Sequence, residues 1–232
     1  MGVPSWVWFV IAVVALLVGA ALLLADRRRG GAGETGVRDR KRWAAMHDWE
    51  YLDSDPVLPS RWRYGTVQNG GPGIARNLAS GTVPTPEGGR PGFIFDHEQQ
   101  GRVNAAVVAV QLREALPAAV ELRLPSAPLP EADGAGLDLL EPVGERYSFV
   151  SDADAIRPLL TDRVADAADA VGEDIELLWA EDTWVLAAAP ADVSPERGQD
   201  LLADLAEVAT ALEQALTAHA APRAAEPGPG AD

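Results

Sequence analysis

VNAAVVAVQL, residues Val103 to Leu112, is a ten-residue run that is almost wholly apolar. A strand with one wet face alternates apolar and polar side chains. This run gives both faces to the interior, as a central strand does. Its flanks fit a sheet built around it. Upstream, Ile74 to Val83 and Gly92 to Asp96 read as strands, the second with Phe93 and Phe95 on one face. Trp62, Tyr64 and Thr66 alternate with polar neighbours as an earlier strand. Asn69-Gly70-Gly71-Pro72-Gly73, the Pro84 to Gly89 segment and Gln99-Gln100-Gly101 separate them. Downstream, Val120, Leu122 and Leu124 alternate with Glu121 and Arg123 as a half-exposed partner. Connections this short predict an antiparallel meander.

Pro125 to Gly144 is rich in Pro, Gly and acidic residues and reads as a loop dividing two lobes, about 37–124 and 145–219. The second lobe begins with a strand, Arg146 to Val150. Ser151 is placed to cap a helix whose apolar positions Ile156, Leu159, Leu160, Val164, Ala168 and Val171 recur at helical spacing. Pro158 must sit in its first turn or kink it. Ile175, Leu177 and Trp179 alternate, as do Trp184, Leu186 and Ala188 after Glu181-Asp182, which predicts a hairpin. Ser194-Pro195 then opens a helix to about His219 with Leu201, Leu202, Leu205, Val208, Ala209, Leu212 and Leu216 on one stripe. The lobe reads β-α-β-β-α, and residues 220–232 form an Ala/Pro/Gly tail expected to be disordered.

At the other end, Trp6 to Ala25 (WVWFVIAVVALLVGAALLLA) carries no charge. As a helix this run reaches roughly 30 Å, the hydrocarbon thickness of a bilayer. It lacks a basic n-region and continues past the small residues Gly19-Ala20-Ala21, so it reads as an uncleaved anchor. Trp6 and Trp8 suit the headgroup region, and Arg27, Arg28 and Arg29 mark the opposite exit as cytoplasmic. The expected topology is N-terminus outside and domain inside, with residues 26–36 as a glycine-rich stalk. A short helix from Val37 to about His47 follows, with Trp43 and Met46 on one side.

Charge is segregated along the chain. Residues 1–42 hold seven basic and three acidic residues, net +4, so with the whole chain at −16 the remainder carries −20. A domain this acidic is a poor partner for nucleic acid, whose binding rests on neutralised phosphates. The absence of cysteine excludes disulfides and thiolate chemistry.

Several pieces in order resemble a family of uncharacterised single-span membrane proteins of actinobacteria. They are the apolar span with its arginine-rich exit, Trp43-Ala44 before Asp48-Trp49-Glu50-Tyr51, and Asn77 to Gly81. Gly92-Phe93-Ile94-Phe95-Asp96, the Val103 to Leu112 run before Leu116-Pro117, and Glu145 to Val150 leading into Asp152 and Leu159-Leu160-Thr161 complete the set. Members of this kind often have Gly-Trp where this chain has Asp48-Trp49. The resemblance implies an N-terminal transmembrane helix on an α+β domain and brings no catalytic residues with it.

The residues themselves offer few chemical candidates. His97 lies between Asp96 and Glu98, a set that suggests a metal or acid–base site, yet strand alternation turns the two carboxylates away from the imidazole. Asp162, Asp166 and Asp169 share a helix face that reads as solvated. Asn69 to Gly73 lacks the Lys-Ser/Thr of a phosphate loop and reads as a turn. Trp43, Trp49, Trp62, Trp179 and Trp184 could line a groove, but core packing is the default for aromatics on alternating strands.

No catalytic, cofactor or metal residues are therefore assigned. The expectation is an α+β protein of antiparallel sheet and packed helices, anchored by Trp6, Trp8 and Arg27 to Arg29. Its expected partners are membrane lipid and an unidentified protein, and its expected role is non-catalytic interaction or scaffolding. The alternative is a small-ligand binder or enzyme whose site assembles from distant residues around His97 and the tryptophans.

Overall fold

The computed structural model describes residues 36–67, 71–130 and 136–220. The expected anchor Trp6 to Ala25, with Trp6, Trp8 and Arg27 to Arg29, lies outside them, as does the tail from 221. Among the described residues no helix is long and apolar enough to cross a membrane. Strands β1 (Glu50–Asp55), β2 (Ile74–Val83), β3 (Arg90–Gln99), β4 (Arg102–Gln111) and β5 (Val120–Arg123) precede β6 (Asp138–Leu139), β7 (Tyr147–Val150), β8 (Leu177–Glu181) and β9 (Trp184–Ala189). They form one antiparallel sheet in the order β1-β2-β3-β4-β9-β8-β5-β7-β6. The class is α+β, as the alternation predicts. β4 is central: Val108 faces Ile94 of β3 on one side and Ala187 of β9 on the other, and Ala105 to Val110 are buried.

Two strand expectations need correction. The segment bearing Trp62, Tyr64 and Thr66 is not a strand. It forms short 3-10 turns at Leu58–Arg61 and Gly65–Val67, because Pro59 starts the first and Gly65, at φ +68°, bends the chain into the second. β5 is neither half-exposed nor beside β4. It lies between β8 and β7 with all four residues buried. Its Glu121 and Arg123 face neither water nor oil but each other, which is how a polar face is buried.

Helix α1 covers residues 36–46 and buries Arg40, Trp43 and Ala44. It closes at Asp48, whose φ of 57° is left-handed, while the Trp49 N–H reaches back to the Ala44 carbonyl at 2.9 Å. Glycine is favoured at that position. The single helix expected after Ser151 is broken at Pro158 into α2 (Ala153–Ile156), a 3-10 turn (Arg157–Leu159) and α3 (Asp162–Ala170). The caps are Asp152 and Thr161, whose side chains accept N–H bonds from Asp154, Ala155 and Val164, and not Ser151. Helix α4 (Pro195–Ala220) opens as expected, with the Arg197 N–H on Ser194 Oγ at 3.2 Å. Its stripe from Leu201 to Leu212 is buried against the sheet and α3.

The sheet thus has two unlike covers. α1, α3 and α4 pack on one face over Ile94, Val108, Leu122, Leu178 and Val185. The other face, with Leu78, Phe95, Val107, Trp179 and Leu186, is covered by the strap of residues 56–67 carrying Leu58 and Trp62. Trp62 stacks on Phe95 and meets Trp184 edge-on, both at 5.9 Å between centroids.

Candidate functional site

A groove of about 1170 Å³ lies between α1, the start of β4 and the loop leading into α4. Its apolar wall is Val37, Trp43, Met46, Val103 and Val193. Its polar floor follows from strand periodicity. Asp96 lies two residues from Ile94, on the helix side of β3, and there meets Arg40 of α1 at 2.5 Å. The Asn77 amide donates to the other Asp96 oxygen at 2.6 Å, and Tyr51 donates its hydroxyl to Asn77 Oδ1 at 3.1 Å. Asn77, at φ 49°, sits where the β2–β3 register slips, which brings its side chain over Asp96. Burial, before the nearby Asp53 and Asp96 charges, raises the Tyr51 hydroxyl above the usual tyrosine value, so it remains a neutral donor. With Arg40 and Asp96 only 8% and 13% exposed at the side chain, this is a closed pair that clamps α1 to the sheet.

His97 takes no part in that network. It is fully buried on the strap side of β3, and its Nε2 donates to the Pro72 carbonyl at 2.9 Å, since a carbonyl can only accept. Nδ1 has no protein partner, and burial pushes the imidazole below the usual histidine value, so the ring is neutral. Glu98 turns away to Arg76 at 3.2 Å. The Asp96-His97-Glu98 set is therefore three separate structural contacts. His97 and Gln99, whose amide donates to the Gly71 carbonyl at 2.6 Å, pin the Gly71–Gly73 turn; Asn69 and Gly70 lie outside the described residues.

Asp162 and Asp166 are exposed, as a solvated face requires. Asp169 leaves that face in function: it accepts the Glu145 N–H at 3.1 Å and holds the loop before β7. The tryptophans do not converge. Trp43 and Trp49 pack on the helix side, whereas Trp62, Trp179 and Trp184 pack under the strap. Among the described residues no group of three or more His, Asp or Glu is arranged to hold a metal ion.

Sequence periodicity missed four ionic clusters. Arg146, 1% exposed, donates to the carbonyls of Ala168, Gly172 and Ile175 at 2.8–3.2 Å, closing the end of α3. Arg90, equally buried, forks onto Glu213 of α4 at 2.6 and 2.8 Å. Arg197 forks onto Asp174 at 2.8 and 2.9 Å. Under the strap, Glu181 accepts the N–H groups of Arg63 and Tyr64, and Glu121 accepts that of Gly65 at 2.6 Å. Burial raises the Glu181 carboxyl above its usual range, an effect the Arg63 and Tyr64 bonds only partly offset. A charged residue in an otherwise apolar strand, such as Glu121 or Glu181, was the available signal; its partners are far off in sequence. Beneath α4 the core is closed, with a void of about 10 Å³ lined by Val120, Leu122, Leu160 and Leu212.

Sheet, helix layer and clamped strap define an α+β protein whose buried charges serve its architecture. The chain belongs to the family of the trehalose monomycolate transport factor TtfA, whose model matches residues 3–229. It is 31% identical over 195 residues to trehalose monomycolate transport factor A of Mycolicibacterium smegmatis (strain ATCC 700084 / mc(2)155), covering 83% of this chain and 64% of that relative. The chain thus spans under two thirds of that relative's length. The crystal structure of the mycobacterial trehalose monomycolate transport factor A superposes with a TM-score of 0.66 at 27% identity, covering 78% of this chain and 94% of the solved one. The actinobacterial part of the resemblance read from the sequence is borne out, and the family carries a transport-factor description; these matches do not bear on a membrane span.

Proposed function

We propose that this chain is a membrane-tethered, non-catalytic component of trehalose monomycolate transport that works by docking onto other proteins of the process. The family match along nearly the whole chain supports the process. The single observation that carries the mode of action is the fate of the ionic groups. Arg90, Arg146, Arg197, Glu121 and Glu181 each close a structural contact, and the core beneath α4 holds a void of only about 10 Å³, so the open space lies at the surface, in the groove beside α1. Function on this reading belongs to the surface. Residues 6–25 form the tether, Trp6 and Trp8 lie at the outer interface, and Arg27 to Arg29 hold the domain on the cytoplasmic side.

Depleting the chain in its host should slow the appearance of newly made trehalose monomycolate beyond the inner membrane, and an unchanged rate refutes the assignment. Topology is checked separately, because the chain has no cysteine. An impermeant maleimide on intact cells should label Ser5→Cys and spare Ser151→Cys; the reverse pattern places the domain outside.

A further inference from the structure

We propose that the outward face of α1 is a second membrane contact, a foot that lies on an anionic lipid surface and fixes how the domain faces the bilayer. The inference rests on the tether reading above. Arg38, Lys41, Arg42, Ala45 and Met46 are all exposed and fall within one side of the helix, while Arg40, Trp43 and Ala44 on the other side are buried. Met46 is 67% exposed, a large apolar side chain at the edge of a basic stripe. The Arg42 side chain is 73% exposed, 3.9 Å from Asp39, and Lys41 Nζ lies 5.3 Å over the Tyr51 ring with its side chain in solvent. Exposed contacts of that length bind weakly and leave both cations able to meet phosphate.

The setting points to lipid and not to a protein. Residues beyond 42 carry −20, so this face is basic on an acidic body, and it is the part nearest the tether. Ten residues separate Ala25 from Gly36; on the tether reading, a flexible segment of that length would span about 16–19 Å and keep α1 within reach of the headgroups. Basic residues with apolar insertions on one helix face are what an anionic interface binds. The helix also transmits its orientation. The Arg40–Asp96 pair and the Trp43 Nε1–Gln199 bond at 3.0 Å tie it to the sheet and to α4. A docked α1 therefore turns the groove rim of Met46, Val103 and Val193 toward the bilayer.

The test uses the full chain in two vesicle types, pure phosphatidylcholine and phosphatidylcholine with 30% phosphatidylglycerol as order of composition. Met46→Cys carries an environment-sensitive fluorophore. Leu139→Cys on β6, six strand spacings from β3 or roughly 29 Å away, is the control. The Met46 probe should shift to the blue in the anionic vesicles, return to its aqueous spectrum at about 1 M salt, where screening is nearly complete, and stay aqueous in pure phosphatidylcholine. The Leu139 probe should not respond. At about fivefold per charge, Lys41→Gln with Arg42→Gln should lower the docked-to-free ratio roughly 30-fold. An aqueous Met46 probe on a chain that still floats with anionic vesicles overturns the foot and leaves the tether standing. A chain that floats with neither vesicle overturns both. A blue shift equal in the two lipids shows Met46 covered by protein or neutral lipid, and also overturns the proposal.

Discussion

Replacing Gly65 by alanine tests how the strap is held. A Cβ at this position would stand 2.4–2.7 Å from three ring atoms of Trp179, which is 1% exposed and has no room to retreat. Ordinary carbon contacts lie at about 3.5–4.0 Å, so the ring or the strap must move. Overpacking of this kind costs about 1–3 kcal/mol. The φ of +68° adds about 1–2 kcal/mol for an L-residue, and the stiffer unfolded chain returns about 0.4–1 kcal/mol. A net loss of about 2–4 kcal/mol should lower Tm by roughly 4–16 °C for a domain of this size. Thermal unfolding of the detergent-purified chain, followed by tryptophan emission, reads it. In a Trp179→Leu background the steric part disappears, and the alanine penalty should fall to about 1 kcal/mol. A Tm within about 1 °C of the parent, or a penalty unchanged without the indole, refutes the contact.

Three further outcomes follow from named contacts. Arg146→Met leaves the Ala168, Gly172 and Ile175 carbonyls without their guanidinium and should cost about 3–5 kcal/mol in urea denaturation. Asp48→Gly removes the left-handed strain at the end of α1 and should raise stability by up to about 1 kcal/mol in the same assay. The third concerns acid. Burial alone would lift the Glu213 carboxyl, but the Arg90 fork and the Arg113 N–H outweigh it and hold it below the usual glutamate value. A depressed carboxyl contributes stability that is present above the unfolded value, about 4.3, and is lost as pH falls through the folded one. The gap between parent and Glu213→Gln should therefore be full at pH 7 and close below about pH 4; a gap independent of pH would falsify the linkage.

The elements were legible where one physical rule dominated. Val103 to Leu112 reads as a central strand because burial on both faces leaves no other pattern, and Ser194-Pro195 marks α4 because capping is local. β2 appears with the bounds its turn residues give. Legibility failed where distant groups override local pattern. Glu121 and Arg123 mimic a wet strand face, and only Gly65, 56 residues upstream, makes that face an interior. Trp62, Tyr64 and Thr66 alternate like a strand, yet Pro59 and Gly65 set the backbone. The Arg40–Asp96–Asn77 floor of the groove needs a bulge in β2 that no residue count reveals.

Two kinds of charge in this chain have opposite consequences for function. The buried ones are committed: removing Arg90, Arg146 or Glu181 strands a partner in the interior, so such variants report on the fold and not on the proposed role. Lys41 and Arg42 on α1 are under no such buried constraint, for they make only long, weak contacts. A substitution there changes surface potential within a Debye length, about 8 Å at physiological salt, and leaves the Arg40–Asp96 clamp intact. Variants that separate stability from the proposed role should therefore concentrate on this helix face and the groove rim beside it. That is also where −20 of acidic body meets the basic exit from the predicted span. If α1 docks as proposed, repulsion of the acidic body from an anionic surface would oppose that attraction, and the two forces would act as a torque favouring one orientation.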